Sequence, residues 1–108
     1  MRRARETHER IKAEIAREKV AALGRAGERL EAALEIVAAI GRRIDASVSA
    51  DERQRLLGDY EVARVRALHA RLALVIQREA VGLRVHRVVD QRFPEPPRRT
   101  CASTPAAS

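Results

Sequence analysis

The fold is decided by the stretch VARVRALHARLALVIQREAVGLRVHRVV, which runs from Val62 to Val89. It contains no proline, and its apolar residues recur at steps of three and four, the spacing that places side chains on one side of a helix. On a wheel of about 100° per residue, however, residues 56–89 separate into two apolar faces. The stretch therefore predicts one long helix that must bury two sides.

The two predicted faces differ in the size of their side chains. The first is rich in alanine and suits close packing against a helix of the same chain; it holds Leu56, Tyr60, Ala63, Ala67, Ala70, Leu74, Val81, Val85 and Val88. The second is mostly large and holds Leu57, Val65, Leu68, Leu72, Val75, Ile76 and Leu83. Since a helix in a monomeric hairpin needs one apolar face, we expect the second face to bind another chain.

Arginines form the borders between the two faces. Arg64, Arg71 and Arg78 are spaced by sevens along one border, and Arg66, Arg84 and Arg87 follow the other. What resembles a basic binding motif in the linear sequence is better interpreted as an oligomer interface with charged edges.

A first helix is predicted upstream, from about residue 4 to residue 44. This segment has no proline and carries a heptad seam, formed by Leu23, Ala26, Leu30, Ala33, Val37, Ile40 and Ile44. Gly24 and Gly27 interrupt it, so that a helix end at Gly24 is the alternative, but the constant phase of the seam favours a continuous helix. Before Leu23 the seam thins to Ile11 and Ile15, and these turns should be exposed or frayed unless a partner covers them.

The second helix is predicted to span about residues 50–91. Ser49 and Glu52 have the spacing of a capping box, and the residue before Pro94 resists the helical conformation. Two helices of about 60 Å with a short connection predict an all-α, antiparallel two-helix hairpin that dimerises into a four-helix bundle or coiled coil. Residues 81–89 also alternate like a strand, but a lone strand would lack a pairing partner.

The chain is long enough for one domain. Its 108 residues are 45% hydrophobic, 34% charged and 2% aromatic, which is typical of long helices. We expect a hairpin domain over residues 1–92 and a disordered tail over residues 93–108, rich in Pro, Ala and Ser. The tail begins with FPEPPRR, which fits the proline-rich peptides that aromatic grooves bind, but prolines that end a helix explain it better.

The net charge of +7 favours acidic partners weakly. Only two of the 22 basic residues are lysines, and a GC-rich coding sequence explains such an excess of arginine as readily as phosphate recognition does. In a hairpin the basic residues gather at the open end, while glutamates interrupt them. The candidate nucleic-acid contacts are Arg2, Arg3, Arg5, Arg10, Arg84, Arg87 and Arg92.

Catalytic and metal-binding patterns are absent from the sequence. His8, His69 and His86 show no ligand spacing, Ser49 is explained by capping, Cys101 lies in the predicted tail, and no phosphate-binding glycine loop occurs. We therefore expect no enzyme activity, no metal and no cofactor.

The predicted location is the cytoplasm. The single cysteine cannot form an intrachain disulfide, the first residues lack a secretory signal, and no apolar run approaches the roughly 20 residues of a membrane span. The sequence favours a non-enzymatic interaction or assembly protein that binds itself, or a helical protein partner. The alternative is a basic regulator that binds nucleic acid on a dimeric hairpin scaffold; a helix lying on a membrane surface is disfavoured.

Overall fold

The computed structural model describes residues 2–100, and every regular element in that range is a helix. Helix α1 spans Arg2–Ala46, helix α2 spans Ala50–Ala80, and the short helix α3 spans Arg87–Arg92. The all-helical class is confirmed, and the strand considered for residues 81–89 is wrong, because the described residues contain no strand. None of the helices between residues 2 and 100 is both long enough and apolar enough to cross a bilayer.

Helices α1 and α2 form a hairpin inside a rod of 73 × 23 × 14 Å. Its connection is only Ser47 to Ser49. The Ser47 hydroxyl donates a hydrogen bond of 2.7 Å to the Ile44 carbonyl at the end of α1. Ser49 has an extended backbone, and its hydroxyl accepts a hydrogen bond of 3.3 Å from the Glu52 amide, so the predicted start of the second helix is confirmed.

Helix α1 is continuous through Gly24 and Gly27, as the constant phase of its seam predicts. Neither glycine contacts another part of the chain closely. Gly41 is more closely packed, because the ring of Tyr60 and the guanidinium of Arg99 approach its backbone. A Cβ at this position would lie 3.3 Å from a nitrogen of Arg99.

The core lies between α1 and the alanine-rich face of α2, which confirms the role predicted for that face from Leu56 to Leu74. Val85 and Val88, which were assigned to the same face, lie beyond the end of α2 and are exposed. Near the connection, the core cluster comprises Val37, Ile44, Leu56, Leu57, Tyr60, Ala63 and Ala67. Towards the open end, a second cluster comprises Ala26, Leu30, Leu74 and Val89, with Leu23 and Phe93 packed against it. Small residues in the middle of this face let the two helices approach closely.

The predicted end of the second helix at residue 91 is wrong. Helix α2 ends at Ala80, because Gly82 adopts a φ of +92° and reverses the chain. The Gly82 amide donates to the Glu79 carbonyl and the Leu83 amide donates to the Arg78 carbonyl, the paired bonds of a Schellman motif with glycine in the left-handed position. The sequence signal was the Gly82-Leu83 pair, which the continuing valine pattern masked.

Residues 83–100, which we call the strap, turn back along the hairpin. They comprise a short extended segment, α3 and a stretch of residues 93–100 without regular structure. Val89 and Phe93 pack into the core cluster at the open end. Of the tail predicted to be disordered, residues 93–100 therefore lie against the helices, while residues 101–108 are outside the described residues.

The start of α1 extends past the end of α2, which lies beside Ile15 and Val20. All of residues 2–21 are exposed, and we call them the extension. Ala80 and Val81 lie beside Ile15 and Val20, so that contact between the two helices ends there. At 1.5 Å per residue the extension is about 30 Å long.

Candidate interaction surfaces

The side of α2 opposite α1 carries large apolar side chains. Val65, Leu72 and Ile76 are 37%, 57% and 56% exposed. At 100° per residue, they lie about half a turn around the helix from Ala67 and Leu74, which are buried against α1. We call these three residues the outer face.

The remaining residues of the predicted oligomer interface occupy different surroundings. Leu57 belongs to the core within the chain, close to the connection. Leu68 and Val75 are half-buried at the edge of the outer face. Leu83 is exposed but belongs to the strap, beyond the end of α2. The structure thus brings only part of the predicted set onto one open surface.

The strap lies along a row of three arginines on α2, which we call the arginine ladder. Arg78 donates hydrogen bonds to the Val85 carbonyl, at 2.9 Å, and to His86 Nδ1, at 3.1 Å. Two helical turns closer to the connection, Arg71 of α2 forms an ion pair with Asp90. The residue number falls from Arg78 to Arg71 on α2 while it rises from Val85 to Asp90 on the strap. The strap is therefore antiparallel to α2.

Arg64 completes the ladder near the connection. Its guanidinium is buried, binds both carboxylate oxygens of Glu61 at 2.8 and 2.9 Å, and lies 3.8 Å from Glu95 of the strap. Such a bidentate pair fixes the orientation of the guanidinium plane. The heptad spacing of the ladder, predicted as a border between two faces, therefore serves to bind the strap.

The far end of the strap is fastened at Tyr60. The Tyr60 hydroxyl donates a hydrogen bond of 2.6 Å to the Pro97 carbonyl. The guanidinium of Arg99 lies 5.4 Å from the centre of the Tyr60 ring and donates a hydrogen bond of 2.8 Å to Asp45 at the end of α1. An open cleft of about 690 Å³ remains between this part of the strap and α1, bordered by Phe93.

Two carboxylates at these contacts have pKa values that are lowered by their arginine partners. The hydrogen bond from Arg99 lowers the pKa of Asp45, and that from Arg64 lowers the pKa of Glu61. The same bonds raise the pKa of Arg99 and of Arg64. At neutral pH all four groups are charged, so the pair within α2 and the pair between Arg99 of the strap and Asp45 of α1 are both complete.

His86 is the residue before α3 and joins the strap to the end of α2. Its Nδ1 accepts from Arg78, and its Nε2 lies 3.3 Å from a carboxylate oxygen of Glu79. A neutral imidazole with the proton on Nε2 satisfies both contacts, since Nδ1 then accepts and Nε2 donates.

The basic residues predicted at the open end are divided into two groups. Arg2, Arg3, Arg5 and Arg10 lie on the extension, all exposed. Arg84, Arg87 and Arg92 belong to the strap, which packs beside residues 23–31 of α1. Since about 20 residues of helix separate Arg2 from Leu23, the two groups lie up to roughly 30 Å apart.

The residues considered for chemistry are not gathered into one site. Within residues 2–100, no cluster of three or more His, Cys, Asp or Glu residues has a metal-binding arrangement. His8 and His69 are exposed on separate helices, and Ser49 caps α2. Cys101 lies outside the described residues.

Several residues that position the strap were not identified from the sequence as site residues. They are Asp45, Tyr60, Asp90, Phe93, Glu95 and Arg99. The available signal was the pairing of acidic residues after Val89 with the heptad arginines, which becomes visible only once the chain is known to reverse at Gly82.

Comparison of the chain with protein-family models, with curated proteins and with solved structures finds no match.

Proposed function

We propose that this protein is a non-enzymatic interaction or assembly module that binds a second copy of itself through the outer face of α2. The observation that carries the proposal is the exposure of Val65, Leu72 and Ile76 on the side of α2 that α1 leaves uncovered. Two hairpins joined by this face make a four-helix bundle, the simplest closed arrangement for such a surface.

Burial of the outer face removes apolar area from water. Full burial of a Val, Leu or Ile side chain stabilises a protein by about 1.5–3 kcal/mol, so covering these three partly exposed side chains is worth on the order of 5 kcal/mol. Arg66 and His69 border the same side and remain in water at the rim of such an interface. A helix of a different protein would use the same face, and the isolated chain would then be monomeric.

The experiment replaces apolar side chains of the outer face with charged ones. The double variant Leu72→Lys, Ile76→Lys places two ammonium groups where the proposal has an apolar contact. We expect it to be monomeric by light scattering on a sizing column at about 50 µM, where the wild type is a dimer. Circular dichroism checks that both proteins keep the same helical content.

Ile36→Lys is the matched control. Ile36 is 57% exposed, as Leu72 is, but it lies on α1. This variant should keep the mass of the wild type. If the outer-face variant keeps the wild-type mass, or if the control dissociates equally, the outer face is not the interface.

A basic regulator that binds nucleic acid is the second candidate. Its support is the extension, where seven basic residues lie on fully exposed turns, interrupted by four glutamates. Binding through phosphates predicts an affinity for duplex nucleic acid that weakens steeply between about 50 and 200 mM salt. Arg2→Gln with Arg5→Gln should weaken binding for every sequence alike; no binding at 50 mM salt removes this candidate.

A further inference from the structure

The groove beside the arginine ladder binds a defined kind of segment. Its occupant, the strap, supplies two apolar anchors, Val89 and Phe93, each with a carboxylate close behind it in sequence. The carboxylate of Asp90 pairs with Arg71, and that of Glu95 lies near Arg64. The groove therefore recognises apolar anchors and acidic groups at fixed spacing, and the strap of any copy of this chain satisfies it.

The strap reaches its own groove through one turn. Among the described residues, Gly82 alone has a positive φ, and this conformation reverses the chain after α2. Without the reversal, α2 would continue in phase, because Val85 and Val88 then fall on the same face as Leu74. After Ala80 the chain thus has two conformations: in the folded-back path it reverses at Gly82, and in the straight path it continues α2.

The straight path covers apolar surface that the folded-back path leaves in water. The end of α2 lies beside Ile15, so a continued α2 runs antiparallel along the extension, with Val85 and Val88 towards Ile15 and Ile11. All four side chains are at least 48% exposed in the folded-back state. Straightening removes the strap from its own groove, which a second strap can then fill.

We propose that two copies of this chain exchange straps when the contacts of each strap with its own groove are weakened, each strap then occupying the arginine-lined groove of the other copy after both straighten at Gly82. When two hairpins meet by their open ends, a straightened chain enters the partner's groove in the same direction as the partner's own strap. The contacts of Arg71 with Asp90 and of Arg64 with Glu95 then form between copies, whereas those of Arg78 with Val85 and His86 are given up because residues 81–88 belong to the continued helix. This contact does not use the outer face and stands separately from the homodimer proposed above.

A charge-swap pair tests the exchange with the hinge intact. Both full chains carry Leu72→Lys and Ile76→Lys, which removes the outer face from the experiment. One chain adds Arg71→Asp and the other adds Asp90→Arg, so that within each chain the two positions repel. In a mixture, each strap finds an oppositely charged partner in the other chain's groove.

We expect each chain alone to have the mass of one copy by light scattering, and the equimolar mixture to have twice that mass. Energy transfer between a donor label on one chain and an acceptor on the other should appear only in the mixture. A mixture that stays at the mass of one copy overturns the exchange, and so does a chain that dimerises alone despite its repelling pair.

A variant at Gly82, where the chain reverses, provides a second test of the exchange. Gly82→Ala, in the Leu72→Lys, Ile76→Lys background, strains the positive φ and favours the straight path, so this chain should dimerise alone. Gly58→Ala is the matched control, because Gly58 is an exposed helical glycine with open space around a new Cβ; it should stay monomeric. A folded Gly82→Ala monomer contradicts the proposal, as does a dimer that persists after Asp90→Lys is added.

Discussion

At the scale of single residues, Tyr60 joins the three parts of the molecule. Its ring is buried between α1 and α2, its hydroxyl donates to Pro97 of the strap, and Arg99 lies over its ring. The wheel correctly predicts that Tyr60 faces α1. Its hydrogen-bond partner is 37 residues away and follows a chain reversal, so no local pattern contains that information.

Acid should loosen this end of the strap. The pKa of Asp45 is lowered by its hydrogen bond from Arg99, and nearby Arg53 adds to the effect. The contribution of this pair is therefore complete above the ordinary aspartate pKa of about 3.9 and is lost as the pH falls through the lowered value. The near-UV circular dichroism of Tyr60, the only tyrosine in a chain without tryptophan, follows the change.

Asp45→Asn is the control for that titration. The variant lacks the ionisable partner, so its Tyr60 signal should already be reduced at neutral pH and should change less below about pH 4. The remaining change reports Glu61, whose pKa is lowered by its hydrogen bond from Arg64. Identical titrations for the wild type and the variant would show that Asp45 does not hold the strap.

At the scale of elements, the long helices follow from the sequence and the end of α2 does not. The seam of α1 and the cap at Ser49 are local signals, and both are confirmed. The sequence pattern does not reveal the helix end at Gly82, because Val81, Val85 and Val88 keep the phase of the helix beyond it. Periodicity indicates which face a residue would occupy in a helix, but a glycine in the left-handed conformation ends the helix regardless.

The hairpin core predicts a difference between two valines. Val37→Ala removes methyl groups from a side chain that is 2% exposed in the core cluster near the connection, and should lower the free energy of unfolding by about 2 kcal/mol. Val62→Ala makes the same change on α2 at an exposed position and should cost less than about 0.5 kcal/mol. Urea denaturation measures both; equal losses would contradict the assigned core.

At the scale of the whole molecule, a single copy leaves several apolar surfaces of the rod exposed, and the sequence anticipates two of them. The outer face lies along the middle of α2, and the extension carries Ile11 and Ile15 beyond the hairpin. The apolar pattern predicts a partner for the outer face, and it predicts that the start of α1 is exposed or frayed unless a partner covers it. The sequence does not predict that the strap fills the groove beside the arginine ladder, since that arrangement depends on contacts between distant residues.

The most direct test of the account is the mass of the wild-type chain in solution. Sedimentation equilibrium over a range from about 1 to 100 µM should show a reversible shift from one copy to two, because burying the outer face favours association by several kcal/mol. A helical protein that keeps the mass of one copy throughout this range would contradict the proposal that the outer face joins two copies.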